Sequence, residues 1–337
     1  MSKSDRREGS ISSWRIQHYP DTQEILQRKG GIVSKNRILM FDVMRIAAIV
    51  GIVLAHIWYA LGITLLYSNL GGWRQTITSS MGGYGVAIFL LVSGCVIEYT
   101  YGEKVWGSIS KFDFVSFIEK RILRLYPAYW FSILLGLLFG YNFLATLTSF
   151  NWLEFIKTMT GFVVFFNLDF SGGYINPMGW FIGVILCLYF LFPMISRFLK
   201  NNGIQGLVLI FLFVWFVRIT IPEGASGLNW YWFPLSRMAE FALGIYMVQT
   251  GLYLKTINTS KIIQFASDLS FPIFLVHFPV LYILTTTPQA YYENLILYVT
   301  VVLLLAYIVY LFDLSFKKFY GNLKLRLKTR REMARRT

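Results

Sequence analysis

The stretch Leu39-Met40-Phe41-Asp42-Val43-Met44-Arg45-Ile46-Ala47-Ala48-Ile49-Val50-Gly51-Ile52-Val53-Leu54-Ala55-His56 decides the fold. Apart from Thr64 near its end, only Asp42, Arg45 and His56 interrupt an apolar run that continues to residue 66. A helix needs roughly 20 such residues to cross a bilayer, so 39–66 reads as a membrane span. Ionisable side chains are costly there, ~2.5 kcal/mol or more near the bilayer centre, and mark function by default. Arg45 and His56 are eleven positions apart, which at about 100° per residue returns to one face, ~16 Å further along the axis. Asp42 lies one turn before Arg45 on that face, placed to pair with it. Gly51 and Ala55 keep the neighbourhood small enough for another helix or a ligand to approach. The stripe carries a carboxylate–guanidinium pair near one interface and an imidazole deep in the span. A plainer reading also fits, with His56 as an interhelical hydrogen-bond donor and Arg45 snorkelling to the headgroups.

The rest of the chain has the same character. Of 337 residues, 56% are hydrophobic and only 14% charged, against about 25% charged in a soluble domain, so a bilayer is the expected solvent. The net charge of +14 raises nucleic acid as a partner. Its basic residues, however, collect in the first 37 positions, in the loop from Lys104 to Arg124 and in the tail from Lys317 to Arg336. That is the distribution of loops kept in the cytoplasm, and no nucleic-acid partner is expected. Cys95 and Cys187 both lie in apolar stretches, which gives neither a disulfide framework nor metal-ligand spacing, so no metal is expected. Residues 1–38 have no continuous apolar core, which predicts that no signal peptide is cleaved.

The predicted fold is an all-α polytopic helix bundle with eight spans at 39–66, 81–101, 127–147, 178–199, 204–221, 230–251, 264–286 and 291–313. The basic markers put both termini in the cytoplasm, and eight spans satisfy all of them. The stretch 150–170 is aromatic but broken by Glu154, Lys157, Asn167 and Asp169, and reads as a partial or re-entrant segment. Three regions follow: a polar basic extension over 1–38, a transmembrane domain over 39–314 and a basic cytoplasmic tail over 315–337. The expected location is the cell (inner or plasma) membrane. Arg237 and Glu240, three apart, read as a structural pair; Glu98 and Arg218 are further charges in or near spans.

Phe41 to His56 resembles the opening signature of the membrane-bound acyltransferase-3 family, with Asp, Arg and then His on the first helix. Four more segments follow in the family's order. Gly85-Val86-Ala87-Ile88-Phe89-Leu90-Leu91-Val92-Ser93-Gly94 is similar to its second-helix segment. Phe117-Ile118-Glu119-Lys120-Arg121-Ile122-Leu123-Arg124-Leu125-Tyr126-Pro127 is similar to its cytoplasmic Arg-x-x-Arg loop. Trp180, Tyr189 and Pro193 match its W…Y…P helix, and Ser270-Phe271-Pro272-Ile273-Phe274-Leu275-Val276-His277 its late element. The resemblance runs over 39–313. Two features depart from it. Ile185 stands where many members carry Glu, which places the chain in a branch lacking that residue. The family is usually described with ten spans, the alternative count here.

The resemblance implies transfer of an acyl group, commonly acetyl from acetyl-CoA, to a hydroxyl of a cell-surface polysaccharide or lipid-linked glycan precursor. Such transfer needs a base to take the hydroxyl proton or a nucleophile to hold the acyl group, and histidine serves either role near neutral pH. His56 is the candidate, with Asp42 and Arg45 beside it. Arg121 and Arg124 are the expected holders of the CoA phosphates, though basic residues before a span also bind anionic lipid or set topology; Arg45 is expected at the pantetheine or thioester. Ser93, Trp180 and His277 are candidates for lining the acceptor pocket. The competing classes are a glycan or lipid transporter, disfavoured because no matching pair of broken helices is visible, and a non-catalytic subunit of a glycan synthase.

Overall fold

The computed structural model describes residues 37–65, 72–107, 111–139, 152–162, 176, 178–221, 231–254, 260–284 and 288–334. The polar extension up to residue 36 and the stretch 163–175, with Asn167 and Asp169, lie outside the described residues. Within these bounds every regular element is helical: α1 Leu39–Leu65, α2 Gly72–Gly107, α3 Phe114–Phe139, α4 Trp152–Thr160, α5 Gly179–Thr220, α6 Met238–Gln249, α7 Lys261–Leu284 and α8 Pro288–Ala334. A 3-10 turn, Pro234–Arg237, leads into α6. Five helices, α1, α2, α5, α7 and α8, are long and apolar enough to cross a membrane. Ile38–Thr337 form one compact unit.

Side-chain contacts set the directions. Ser267 on α7 meets Asp42 and His277 meets His56, so α7 runs parallel to α1. On α3, Phe117 stacks on Phe192 of α5, while Tyr129 lies against Gly179, so α3 and the first arm of α5 are antiparallel. Stacked rings of Phe131 and Phe312, 4.2 Å apart, and hydrogen bonds from Tyr320 and Lys324 to Glu119 make α8 antiparallel to α3. The bundle therefore has an Asp42 end, which also holds Arg121 and Lys324, and a His56 end, which holds Trp180.

α5 contains both predicted spans 178–199 and 204–221, joined through Gly203 at φ 54°. A straight 42-residue helix would put its ends ~60 Å apart. Instead Trp180 packs on Tyr231, whose ring sits under the Arg237 guanidinium, and Arg237 shares Glu240 with Arg218. Both ends of α5 are thus at the His56 end, and the chain doubles back at Gly203. A left-handed φ is open to glycine at little cost.

α4, the predicted partial segment, has nine residues and covers ~14 Å, too little to cross a bilayer. Its last carbonyls need partners, as at any helix C-terminus. Tyr126, Tyr129 and Trp130 of α3 supply them, donating to the carbonyls of Thr160, Thr158 and Met159. The residues set apart as the tail continue α8 as helix to Ala334.

The tightest crossing is between α2 and α6. A Cβ on Gly94 would collide with the carbonyl oxygen of Phe241, and one on Gly244 with that of Leu91. Only glycine lets two backbones lie this close, the small-residue packing that membrane helices use in place of a hydrophobic driving force. Gly244→Leu is expected to lower the thermal midpoint of the detergent-solubilised protein by the equivalent of on the order of 1–3 kcal/mol of overpacking. Gly321→Leu, in open space, should leave it unchanged. At the Asp42 end, hydrogen bonds from Lys324 and Tyr320 hold the Glu119 carboxyl below its usual range. This contact is present above the ordinary carboxylate pKa and is lost as pH falls through the lowered one. Limited proteolysis after Lys324 should therefore quicken in acid, and Glu119→Gln should show the quickened rate already at neutral pH.

Candidate active site

Asp42 is buried, and its Oδ1 takes a hydrogen bond from Arg45 Nη1 at 3.2 Å and another from Ser267 Oγ at 2.7 Å. The pairing expected from one-turn spacing is in place. Ser267 was missed: it sits 225 positions away, and its only signal was a polar residue one turn before Ser270 in an apolar helix. The hydroxyl gives the carboxylate a short donor from another helix, and it ties α7 to α1 at this end.

Fourteen residues above Asp42, ~21 Å along the helix, His56 meets His277. His56 Nδ1 lies 2.8 Å from the Ile52 carbonyl and 3.4 Å from His277 Nε2. The rings stand edge to face with centroids 4.9 Å apart, and Phe278 presents its edge to His56 at 5.3 Å. His277 Nδ1 lies 2.8 Å from the Phe274 carbonyl. His277 is fully buried, whereas His56 is only half-buried. His56 is therefore the more exposed of the two rings.

α7 keeps His277 in place by a local defect that is repaired. Pro279 has no N–H, so the Leu275 carbonyl one turn earlier lacks its helical donor. Buried Asn176 fills the gap, donating from Nδ2 to Leu275 O at 3.0 Å and to Ser132 Oγ at 2.9 Å. Tyr298 Oη donates to the His277 carbonyl at 3.2 Å. Asn176 was not singled out from sequence; the proline in an apolar run was the available clue.

Arg121 and Arg124 separate in space. Arg121 lies within a ring of aromatics, its Cζ 5.4 Å from Tyr101, 5.6 Å from Phe117 and 6.0 Å from Tyr189, and it donates to Tyr101 Oη at 3.3 Å. Its buried Nε has no acceptor among the described residues. Arg124 is exposed. Ser93 is half-buried, one turn from Phe89, whose ring meets Phe274 at 6.1 Å. Trp180 is buried against Tyr231 and Phe181. Ile185 is buried in apolar contacts.

Two further charged clusters are paired internally, each leaving a buried carboxylate oxygen, Glu98 Oε2 or Glu240 Oε2, without a hydrogen bond among the described residues. Buried Glu98 accepts from Gln249 Nε2 at 2.7 Å, which also reaches the Ser196 carbonyl. The expected Arg237–Glu240 pair forms at 3.3 Å, and Arg218 joins it at 3.0 Å while donating twice to the Ser236 carbonyl. Among the described residues no three His, Cys, Asp or Glu side chains converge as metal ligands.

A partly exposed imidazole inside a helical membrane bundle, backed by a second imidazole, has the chemistry for proton transfer or nucleophilic attack. A family model described as an acyltransferase domain, that of the acyltransferase-3 family, matches residues 38–256. The segments from Phe41 to Pro193 fall inside this match, and Ser270 to His277 lies beyond it. Searches among curated proteins and among solved structures found no match. The chain thus belongs to the acyltransferase-3 family, and with its five bilayer-length helices it is a membrane acyltransferase.

Proposed function

We propose that the protein moves an acyl group, most simply acetyl, from cytoplasmic acyl-CoA to a hydroxyl of a cell-surface or lipid-linked glycan. The observation that carries this reading is the partly exposed His56 ring at the far end of the Asp42–Arg45 stripe. In the base route, His56 takes the proton of the acceptor hydroxyl and the oxygen attacks the thioester carbonyl. The carbon–sulfur bond then breaks, and the departing thiolate recovers the proton from the imidazolium. In the nucleophile route the ring nitrogen holds the acyl group between two such steps. Arg45, half-buried and oriented by Asp42, lies on the line from the Asp42 end to His56, the course expected for the pantetheine arm.

The same proposal places the Asp42 end in the cytoplasm of a cell that houses the protein in its inner or plasma membrane, with eight crossings. Basic residues from Lys104 to Arg124 and from Lys317 onward support it, since they gather at that end. Arg121 suits a phosphate of the donor because its Nε is an unused donor and the guanidinium plane is held by three rings. Trp180, at the His56 end, falls to the acceptor side, whereas Ser93 follows Val92, which packs with Phe41 toward the Asp42 end.

His56→Ala is expected to reduce acyl-ester formation on the glycan by ~10²-fold or more at unchanged membrane abundance. Mass spectrometry of the surface glycan, with immunoblotting of the membrane fraction, measures both, and persistent esters would end the catalytic assignment. Wild-type protein at 100-fold excess of acetyl-CoA over Kd should gain about 2.7 kcal/mol of apparent stability. Arg121→Ala should lose most of that thermal shift, and a shift of wild-type size in the variant would sink its role in donor binding.

A further inference from the structure

We propose that His277 is a positioning residue: its Nε2 lone pair receives the Nδ1–H of His56 and leaves His56 Nε2 as the reacting atom. This rests on the catalytic reading of His56 and supplies the orienting group which that reading lacked.

The assignment follows from counting donors and acceptors. A backbone carbonyl can only accept, and His277 Nδ1 lies 2.8 Å from that of Phe274, so the His277 proton is on Nδ1. In a neutral imidazole the other nitrogen is then an acceptor. That nitrogen, His277 Nε2, faces His56 Nδ1 at 3.4 Å. Two lone pairs repel at this distance, so His56 Nδ1 carries the hydrogen. The Ile52 carbonyl, 2.8 Å from the same Nδ1, demands the same answer. Two independent neighbours select one tautomer, and its vacant nitrogen is Nε2 on the far side of the ring.

The arrangement has the logic of an acid–base triad, in which a third group holds the histidine in one tautomer and steadies the cation formed when it takes a proton. When His56 Nε2 accepts the hydroxyl proton, positive charge spreads to Nδ1–H, and the His277 lone pair and the Ile52 oxygen lie against it. His277 can serve because it cannot turn: it is fully buried, its Nδ1 is fixed by a carbonyl of its own helix, and Asn176 and Tyr298 brace the backbone on either side. Full burial also removes it from the set of substrate contacts.

The chain has three histidines, so ring-15N histidine NMR of the full-length protein in nanodiscs, with His18→Ala, resolves two imidazoles. The expected wild-type spectrum shows His56 protonated at Nδ1 and bare at Nε2. In His277→Phe the Ile52 carbonyl still holds the proton on Nδ1, but the Nδ1 resonance should move on losing its second acceptor, and kcat should fall ~10²-fold while KM for the donor stays within about twofold. His277→Gln, whose amide oxygen can receive the N–H, should restore the Nδ1 resonance and most of kcat. A wild-type His56 bearing its proton on Nε2 overturns the proposal, whether or not any variant folds. So does a His277→Phe protein with unchanged Nδ1 resonance and kcat, or a Gln variant as impaired as Phe. If the tautomer is as stated but His56→Ala retains turnover, the catalytic reading has failed and the pairing stands.

Discussion

Inside a bilayer a backbone carbonyl or amide without a partner costs several kcal/mol, because no water is present to replace it. This demand explains why the described elements are helices, and it explains the exceptions better still. At two places where a helix is interrupted or ends, side chains from other segments do the missing work. Pro279 withdraws a donor from Leu275, and Asn176 replaces it. The nine-residue α4 stops inside the bundle, and three aromatic residues of α3 take up its last carbonyls. Buried carboxylates at Asp42, Glu98 and Glu240 each take a donor from another helix or turn, though Glu98 and Glu240 keep one oxygen without a hydrogen bond among the described residues.

Satisfied polar contacts are short and directional, and they fix helix register as apolar packing cannot. Ser267 on Asp42 sets the height of α7 against α1, and this delivers His277 to His56 on the same pair of helices. On the other flank, the glycine crossing of α2 and α6 brings two backbones together, and Glu98 with Gln249 locks their height. The site is thus held between one interface set by hydrogen bonds and one set by the absence of side chains.

Much of this was legible in the sequence, and the boundary has a physical cause. Hydropathy located the five long apolar helices, since lipid selects such runs, but the helix read at 127–147 is Phe114–Phe139 and that read at 230–251 is only Met238–Gln249. Helical spacing placed Asp42 beside Arg45 and put His56 on their face, since those relations lie within one element. The spans read at 178–199 and 204–221 are the two arms of a helix folded at Gly203, a break that the intervening polar residues already marked. The contacts between elements were hidden. Ser267 and His277 lie more than 200 positions from their partners, and no local pattern encodes such a distance. His277 stood out as a polar residue in a span, but spacing gave no sign that it faces another ring and not a ligand. Arg121 and Arg124 looked equivalent, one turn apart, until the aromatic residues of α2 and α5 enclosed one and left the other exposed.

The repair at Leu275 also bears on how this region can change over generations. Asn176 and Pro279 are separate in sequence, yet they answer one vacancy. Replacing Pro279 with a residue that has an N–H refills the carbonyl from within the helix and leaves a buried amide competing for it. Replacing Asn176 alone strands the carbonyl. Either single step is penalised, and the double exchange spares the carbonyl while still costing Asn176 its contacts with Ser132 and Met178, so drift at one position is bound to the state of the other.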